Sequence, residues 1–178
     1  AEISDEYKTV EEYRNSIKEE LETQNESDQH TQELNDLVAM AYENATVNDY
    51  PQEMIDYQLE SVTTYYKSYA EQYGMEYADF LEQQVGMTEE EFVKQMTETV
   101  KKSLGQEMVL RAIAETEGVE ISDEKFQEKA SEYAAQMGST DVDAFIQQYG
   151  KSTIMASILQ DEAVDILEKN AVVKNADG

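Results

Sequence analysis

The chain has 178 residues, a formal net charge of −27, one histidine, one proline and no cysteine. That balance argues against nucleic acid, because no basic patch is available to neutralise phosphates, and against an anionic membrane surface for the same reason. Hydrophobic residues make up 40%, enough for one sizeable domain or an elongated two-lobed one, yet no apolar run approaches the ~18 residues of a membrane span.

With one proline and seven glycines, and with Glu, Gln, Ala, Lys and Met abundant, the composition predicts an all-α protein. The absence of cysteine excludes disulfides and thiol chemistry and leaves the compartment open. The chain begins at Ala1 rather than methionine, which reads as a cut piece or a processed form, so the lack of a visible targeting segment carries little weight. A charge this large keeps exposed apolar surface soluble and favours basic partners.

In chain order, residues 1–8 read as a polar lead-in. Thr9-Val-Glu-Glu12 has the form of a capping box and opens a long helix. Val10, Tyr13, Ile17 and Leu21 give its first half an apolar stripe, and Leu34, Leu37, Val38 and Ala41 give one to its second half. The polar stretch between them, Glu22 to Gln32, predicts a helix crossing solvent, continuous or slightly broken near Asn25 to Asp28. Pro51 starts the next helix, where a missing N–H costs nothing, and Gly74 stops it. A short helix follows from about Glu76 to Val85. Thr88-Glu-Glu-Glu91 caps another long helix with Phe92, Met96, Val100, Leu104, Met108 and Ile113 inward, ending near Gly118. Ser122 caps a helix that stops at Gly138, and Asp141 to Tyr149 form a second short helix. The last helix turns Ile154, Ile158, Ala163, Ile166 and Leu167 inward and ends at Asn170 to Val173, leaving residues 174–178 to fray.

The segment Tyr69 to Gly86 returns 64 positions later as Tyr133 to Gly150, with eight of eighteen positions identical and no gap. Upstream, Ile55, Leu59, Val62, Tyr66, Tyr69 and Tyr73 fall at steps of four and three, one seam along a helix. Val62, Tyr66, Tyr69 and Tyr73 correspond to Phe126, Ala130, Tyr133 and Met137. Each unit is a helix, a glycine stop, a short helix and a second glycine. A helix pair of that size cannot bury its own apolar face, so it stacks on a neighbour or leaves that face open.

No catalytic constellation is present. His30 is the only histidine, so no triad, proton relay or histidine-rich metal site can be built, and its polar surroundings place it on the surface. Asp141-Val-Asp143 begins like a calcium loop but lacks the required glycine and closing glutamate. No glycine-rich phosphate loop occurs. No metal and no cofactor is expected. The distinctive residues are twelve tyrosines and eight methionines beside no tryptophan and four phenylalanines. They concentrate in the first unit: Tyr57, Tyr65, Tyr66, Tyr69, Tyr73, Met75, Tyr77, Phe80, Met87 and Met96. Tyr65 and Tyr66 are adjacent, so at least one ring leaves the seam. Tyrosine tolerates a wet edge and methionine adapts to varied partners.

Tyr50-Pro-Gln-Glu-Met-Ile55, Tyr69-Ala-Glu-Gln-Tyr-Gly74, Phe80 to Gly86 followed by Met87-Thr-Glu-Glu-Glu-Phe92, and Met108 to Ala114 running to Gly118-Val-Glu-Ile-Ser-Asp123 resemble the C-terminal domain of trigger factor. Tyr7-Lys-Thr-Val-Glu-Glu-Tyr13 resembles the helix that follows that family's isomerase domain. The resemblance implies an elongated helical body with two protruding arms forming a cradle, as in SurA-like chaperones. It divides the chain into a spanning helix (1–50), arm 1 (51–87), a body helix (88–121), arm 2 (122–150), a terminal body helix (151–173) and a tail (174–178). The implied function is ATP-independent holding of unfolded or nascent polypeptide on apolar arm surfaces, with Tyr57, Tyr65, Tyr69, Tyr73, Met75, Tyr77, Phe80, Met87, Met96, Met137, Phe145 and Tyr149 as client-binding candidates. The ribosome-docking signature and the FKBP-like prolyl isomerase domain are absent from these residues, so no isomerase activity is expected of them. A structural or dimerisation scaffold, as in a homodimer, is the alternative, as is an accessory domain of a larger peptidyl-prolyl isomerase. The resemblance implies a cytoplasmic protein; tyrosine richness, lack of cysteine and acidity suit an extracytoplasmic relative as well.

Overall fold

A computed structural model describes residue 7 and residues 9–172. The lead-in (apart from Tyr7), residue 173 and the tail over 174–178 lie outside the described residues. Within them the chain is all-α: α1 (Val10–Asn44), α2 (Gln52–Gln72), α3 (Tyr77–Phe80) running into a π-helical turn (Leu81–Val85), α4 (Glu89–Thr116), α5 (Asp123–Gln136), α6 (Val142–Tyr149) and α7 (Lys151–Asn170).

Local hydrogen bonding sets most of these ends. Thr9 Oγ1 accepts from the Glu12 N–H at 3.1 Å while the Glu12 carboxylate accepts from the Thr9 N–H at 3.1 Å, so the expected box satisfies two orphan donors at once. The same box opens α4 through Thr88 and Glu91; the Thr88 N–H and hydroxyl hold the Glu91 carboxyl below its ordinary pKa. The Ser122 hydroxyl accepts from the Lys125 N–H to start α5. At the other end, α2, α4 and α5 stop in one way. Gly74, Gly118 and Gly138 take φ of +66°, +67° and +74°, and the N–H of the next residue reaches back five positions to Ala70, Ala114 and Ala134 at 2.9, 2.9 and 2.8 Å. These are Schellman closures, which need a left-handed residue that glycine adopts without strain.

α1 is unbroken through its polar middle. Of the two forms expected, continuous or slightly broken near Asn25 to Asp28, it takes the continuous one, and side-chain pairs one turn apart support it: Lys18–Glu22 at 3.6 Å, Gln24–Asp28 at 2.8 Å and Gln32–Asp36 at 2.8 Å.

α4 and α7 pack on each other, and α1 packs on both. α2 and the π-helical turn rest on α4, with α3 against α2, while α5 and α6 rest on α7. The core is accordingly divided. Ile55, Val100 and Leu104 join α2 to α4; Leu110, Ala114 and Ala163, with Val38 and Leu167 beside them, join α4, α7 and α1; Phe126, Ala130, Ala134, Phe145, Ile154 and Ile158 join α5 and α6 to α7. Phe92 is 1% exposed and receives the Tyr66 ring at 4.8 Å. All fully buried side chains among the described residues are apolar. One inward expectation for α4 is corrected: Met108 is exposed, because the helix turns Leu110 and Ala114 to α7 instead, whereas Ile113 packs half-buried against that cluster.

The accessible surface is 13479 Å², against about 8,800 Å² for a compact globule of this mass. α1 has no buried residue. Val10 and Leu21 are 69% and 63% exposed, and Tyr13 of the same stripe meets the Tyr7 ring at 5.5 Å.

Candidate functional site

The client-binding candidates fall into three groups. Tyr57, Tyr65, Tyr69, Tyr73, Met137 and Tyr149 are exposed. Met75, Tyr77, Met87 and Met96 are half-buried. Phe80 and Phe145 are 6% exposed, so the expectation of open surface is corrected for these two. A short helix held between two glycines folds back on its parent, and the residue it turns inward fills the angle: Phe145 enters the α5–α6–α7 core, and Phe80 lies 5.6 Å from the Tyr73 ring.

The α2 seam also differs from its expected course. Ile55 is buried, and Leu59, Val62 and Tyr66 are half-buried. The line then passes to Ala70, 1% exposed, rather than to Tyr69 and Tyr73. Alanine admits the close approach that a tyrosine ring would prevent. The displaced rings form a ridge at steps of four along the outer side of α2: Tyr57, Ser61, Tyr65, Tyr69, Tyr73. The Tyr65 and Tyr69 rings lie 4.9 Å apart, with the Tyr65 hydroxyl donating to the Tyr69 oxygen at 3.1 Å. From Tyr57 to Tyr73 the ridge runs about 24 Å at ~1.5 Å per residue.

Beneath the ridge, Tyr77 faces Phe92 edge-on, and the Lys67 ammonium sits 5.4 Å from the centre of the Tyr77 ring. The Tyr77 hydroxyl is shut from solvent without a well-formed hydrogen bond. Burial, then the Glu89 carboxylate, pushes its pKa up, with the neighbouring Thr63 hydroxyl opposing. Among the described residues there is no cluster of histidine, cysteine or carboxylates placed to hold a metal, and no helix is long and apolar enough to cross a membrane. His30 is on the surface as expected, with Nδ1 3.7 Å from the Glu168 carboxylate of α7.

The model of the bacterial trigger factor protein (TF) C-terminus matches residues 9–171. The chain belongs to that family. Among curated relatives it is 30% identical to the trigger factor of Halalkalibacterium halodurans over 95% of this chain and 39% of that protein. It is 30% identical to the trigger factor of Acetivibrio thermocellus over 94% of this chain and 39% of that protein, and 30% identical to that of Latilactobacillus sakei over 98% and 37%. The chain thus spans about two fifths of the length of the curated trigger factors it matches. No solved structure matches it.

Within this trigger factor C-terminus, the two repeat units differ in how they attach to the rest. The first meets α4 through apolar and aromatic contacts. The second adds polar ones: the Tyr133 hydroxyl donates to Asp161 of α7 at 2.7 Å, Lys125 pairs with Glu162, and Lys151 lies 3.4 Å from Asp123. Burial, and then the hydrogen bond to Asp161, pushes the Tyr133 pKa well above the usual phenol value. Sequence reasoning missed these cross-element pairs because they join positions 28 to 37 residues apart with no local pattern to announce them.

Proposed function

We propose that this chain is an ATP-independent chaperone module that holds unfolded polypeptide on exposed apolar side chains of two helical arms enclosing a cradle. The arms correspond to residues 51–87 and 122–150. The observation that carries the reading is the exposed tyrosine ridge on α2, four rings between 38% and 72% exposed in a chain with roughly half as much surface again as a globule of its mass. Membership of the trigger factor C-terminus family supports it.

A segment covering ~300–400 Å² of apolar surface gains roughly 8–10 kcal/mol gross at ~25 cal/mol/Å². Association and ordering remove on the order of 4–15 kcal/mol of it. Each contact is then weak and reversible, as holding requires, and affinity comes from several patches engaging one chain. Met75, Tyr77, Met87 and Met96 are half-buried and offer a client only part of their surface.

The test is aggregation of a chemically denatured client diluted into buffer without nucleotide. A severalfold slower rise of light scattering at equimolar chain is expected, with loss of that protection when Tyr57, Tyr65, Tyr69 and Tyr73 are all replaced by serine. Scattering that rises equally fast with and without the chain sinks the proposal. A tight dimer by light scattering that binds no apolar dye points instead to a scaffold.

A further inference from the structure

α4 divides its length between two duties. Up to Leu104 its apolar side chains serve the first repeat unit: Phe92 receives Tyr66 and Tyr77, and Val100 and Leu104 hold Ile55. From Leu110 onward they serve α7 and α1. α2, α3 and the π-helical turn make their extensive contacts with one another and with α4. The first unit is therefore carried on residues 89–104, a stem of about 24 Å at ~1.5 Å per residue.

Gly105 lies at the changeover, with Ser103 two positions before it. Glycine is the helical residue least resistant to a change of backbone angle, and helices kink where glycine and serine fall together. The second covalent route across the changeover is the link over residues 45–51, which has no regular structure. It borders an open cleft of about 710 Å³ lined by Val47, Asp49, Met108, Ala112 and Thr116. Among the described residues one side-chain hydrogen bond joins the first unit to α1 or α7, the 3.0 Å contact between the hydroxyls of Tyr42 and Tyr50. Tyr50 packs on the Ile55–Val100–Leu104 cluster, and the Tyr42 ring of α1 fills the notch at Gly105, where no Cβ has room.

α7 is shared in the same way. Ile154 and Ile158 serve α5 and α6, and Ala163 serves α4. Its changeover, Leu159-Gln-Asp-Glu162, contains no glycine. It is cross-braced instead: Tyr133 donates to Asp161 at 2.7 Å, and Lys125 pairs with Glu162.

We infer that Gly105 is a hinge on which the first unit swings as one lever while the second stays fixed to α7, and that Tyr42 serves as the stop and, through Tyr50, as the latch of that hinge. The ring in the notch blocks bending toward α1, so the free direction is away from it, and that movement parts the two hydroxyls. A bend of ~10–20° carries the far end of the stem about 4–8 Å. The spacing between the two units is thereby adjustable, a property that holds with or without a client.

The chain has no cysteine, so the test places pairs of nitroxide labels on introduced cysteines at exposed positions of the full 178-residue chain and measures their distances by double electron–electron resonance. Asn35→Cys on α1 is the common reference, paired with Gln72→Cys at the end of α2 or with Gln136→Cys at the end of α5. The distance distribution to position 72 is expected to be at least twofold wider than that to position 136. Tyr50→Phe keeps the packed ring and removes the latch; it should move the first distribution several ångström to longer distance and leave the second unchanged. Tyr42→Ala should widen the first further, and Gly105→Ala added to Tyr42→Ala should narrow it again, because the notch is empty and the stem is stiffened. Circular dichroism checks that each variant keeps its fold; should the Tyr42→Ala chains unfold, Tyr50→Phe decides alone. Equal widths for the two pairs, no effect of Tyr50→Phe, or a width that Gly105→Ala leaves unaltered in the Tyr42→Ala background overturns the inference. No client enters these measurements, so their failure leaves the holding function standing, and a failed aggregation assay leaves the hinge standing.

Discussion

Gly105 lies in the middle of α4, where glycine costs about 1 kcal/mol relative to alanine, so its presence calls for a local reason. The reason is Tyr42 of α1. A Cβ built on Gly105 would lie within 2.3 Å of the Tyr42 ring, and that ring is held in place by the contact between its hydroxyl and that of Tyr50, 3.0 Å away. The glycine is a seat for a tyrosine. Gly105→Ala gains helix propensity but must displace the ring, and overpacking of this kind costs typically ~1–3 kcal/mol. The expected net is a destabilisation of about 0.5–2 kcal/mol, read as a lowered urea midpoint. With Tyr42→Ala already in place the sign should reverse, because only the propensity gain of up to ~1 kcal/mol remains. A double-mutant cycle with no coupling between the two sites would refute the seating of Tyr42 on Gly105.

At the scale of elements, the second unit is fixed to α7 by groups whose protonation can be controlled. Tyr133 donates to Asp161, with Glu132 and Glu162 adding negative charge around it. A raised pKa means that the folded state keeps a proton that the unfolded state releases near pH ~10. The stabilisation is therefore complete below pH ~10 and is lost as pH rises beyond it. Tyr133→Phe should cost about 1 kcal/mol at pH 7, and the gap between the two chains should shrink by pH 10.5, where unfolded Tyr133 ionises. A gap that stays constant from pH 7 to 10.5 would mean that the hydroxyl contributes by packing rather than by its proton. The elements themselves were largely legible in the sequence, because their ends are local chemistry. Thr9, Thr88 and Ser122 cap α1, α4 and α5, and Gly74 and Gly138 close α2 and α5, with hydrogen bonds that reach no further than five residues. What could not be read was anything set by a neighbour. The α2 seam passes to Ala70 instead of Tyr69 because α2 approaches its partners there, and Phe80 and Phe145 are buried because their short helices fold back. Nor is the π-helical turn at Leu81–Val85 marked in sequence: Gly86 donates to Leu81 five residues back, whereas the matching Gly150 donates to Ile146 four back, although the two copies share Gln83 and Gln84 with Gln147 and Gln148.

For the whole molecule, the open surface has a thermodynamic consequence that does not depend on any client. An unfolded chain of this mass exposes about 29,000 Å², so unfolding from 13479 Å² uncovers about 16,000 Å², where a compact globule would uncover about 20,600 Å². The urea m-value scales with the area uncovered. It should therefore be about four fifths of that for compact single-domain proteins of equal length. The three separate core clusters act in the same direction, since a unit that opens alone broadens the transition further. Charge has a different signature. A net charge of −27 repels itself in the folded state, and screening relieves that repulsion, so the urea midpoint should rise between ~10 and ~150 mM salt as the Debye length falls from ~30 to ~8 Å. The slope should change little, because screening does not alter how much surface unfolding uncovers. Equilibrium urea unfolding at both salt concentrations separates the two effects. A slope equal to that of a compact protein would mean that the chain in solution closes on itself, sealing the α1 stripe and the α2 ridge together; a low slope with a salt-dependent midpoint fits surfaces that stay open to take up another chain.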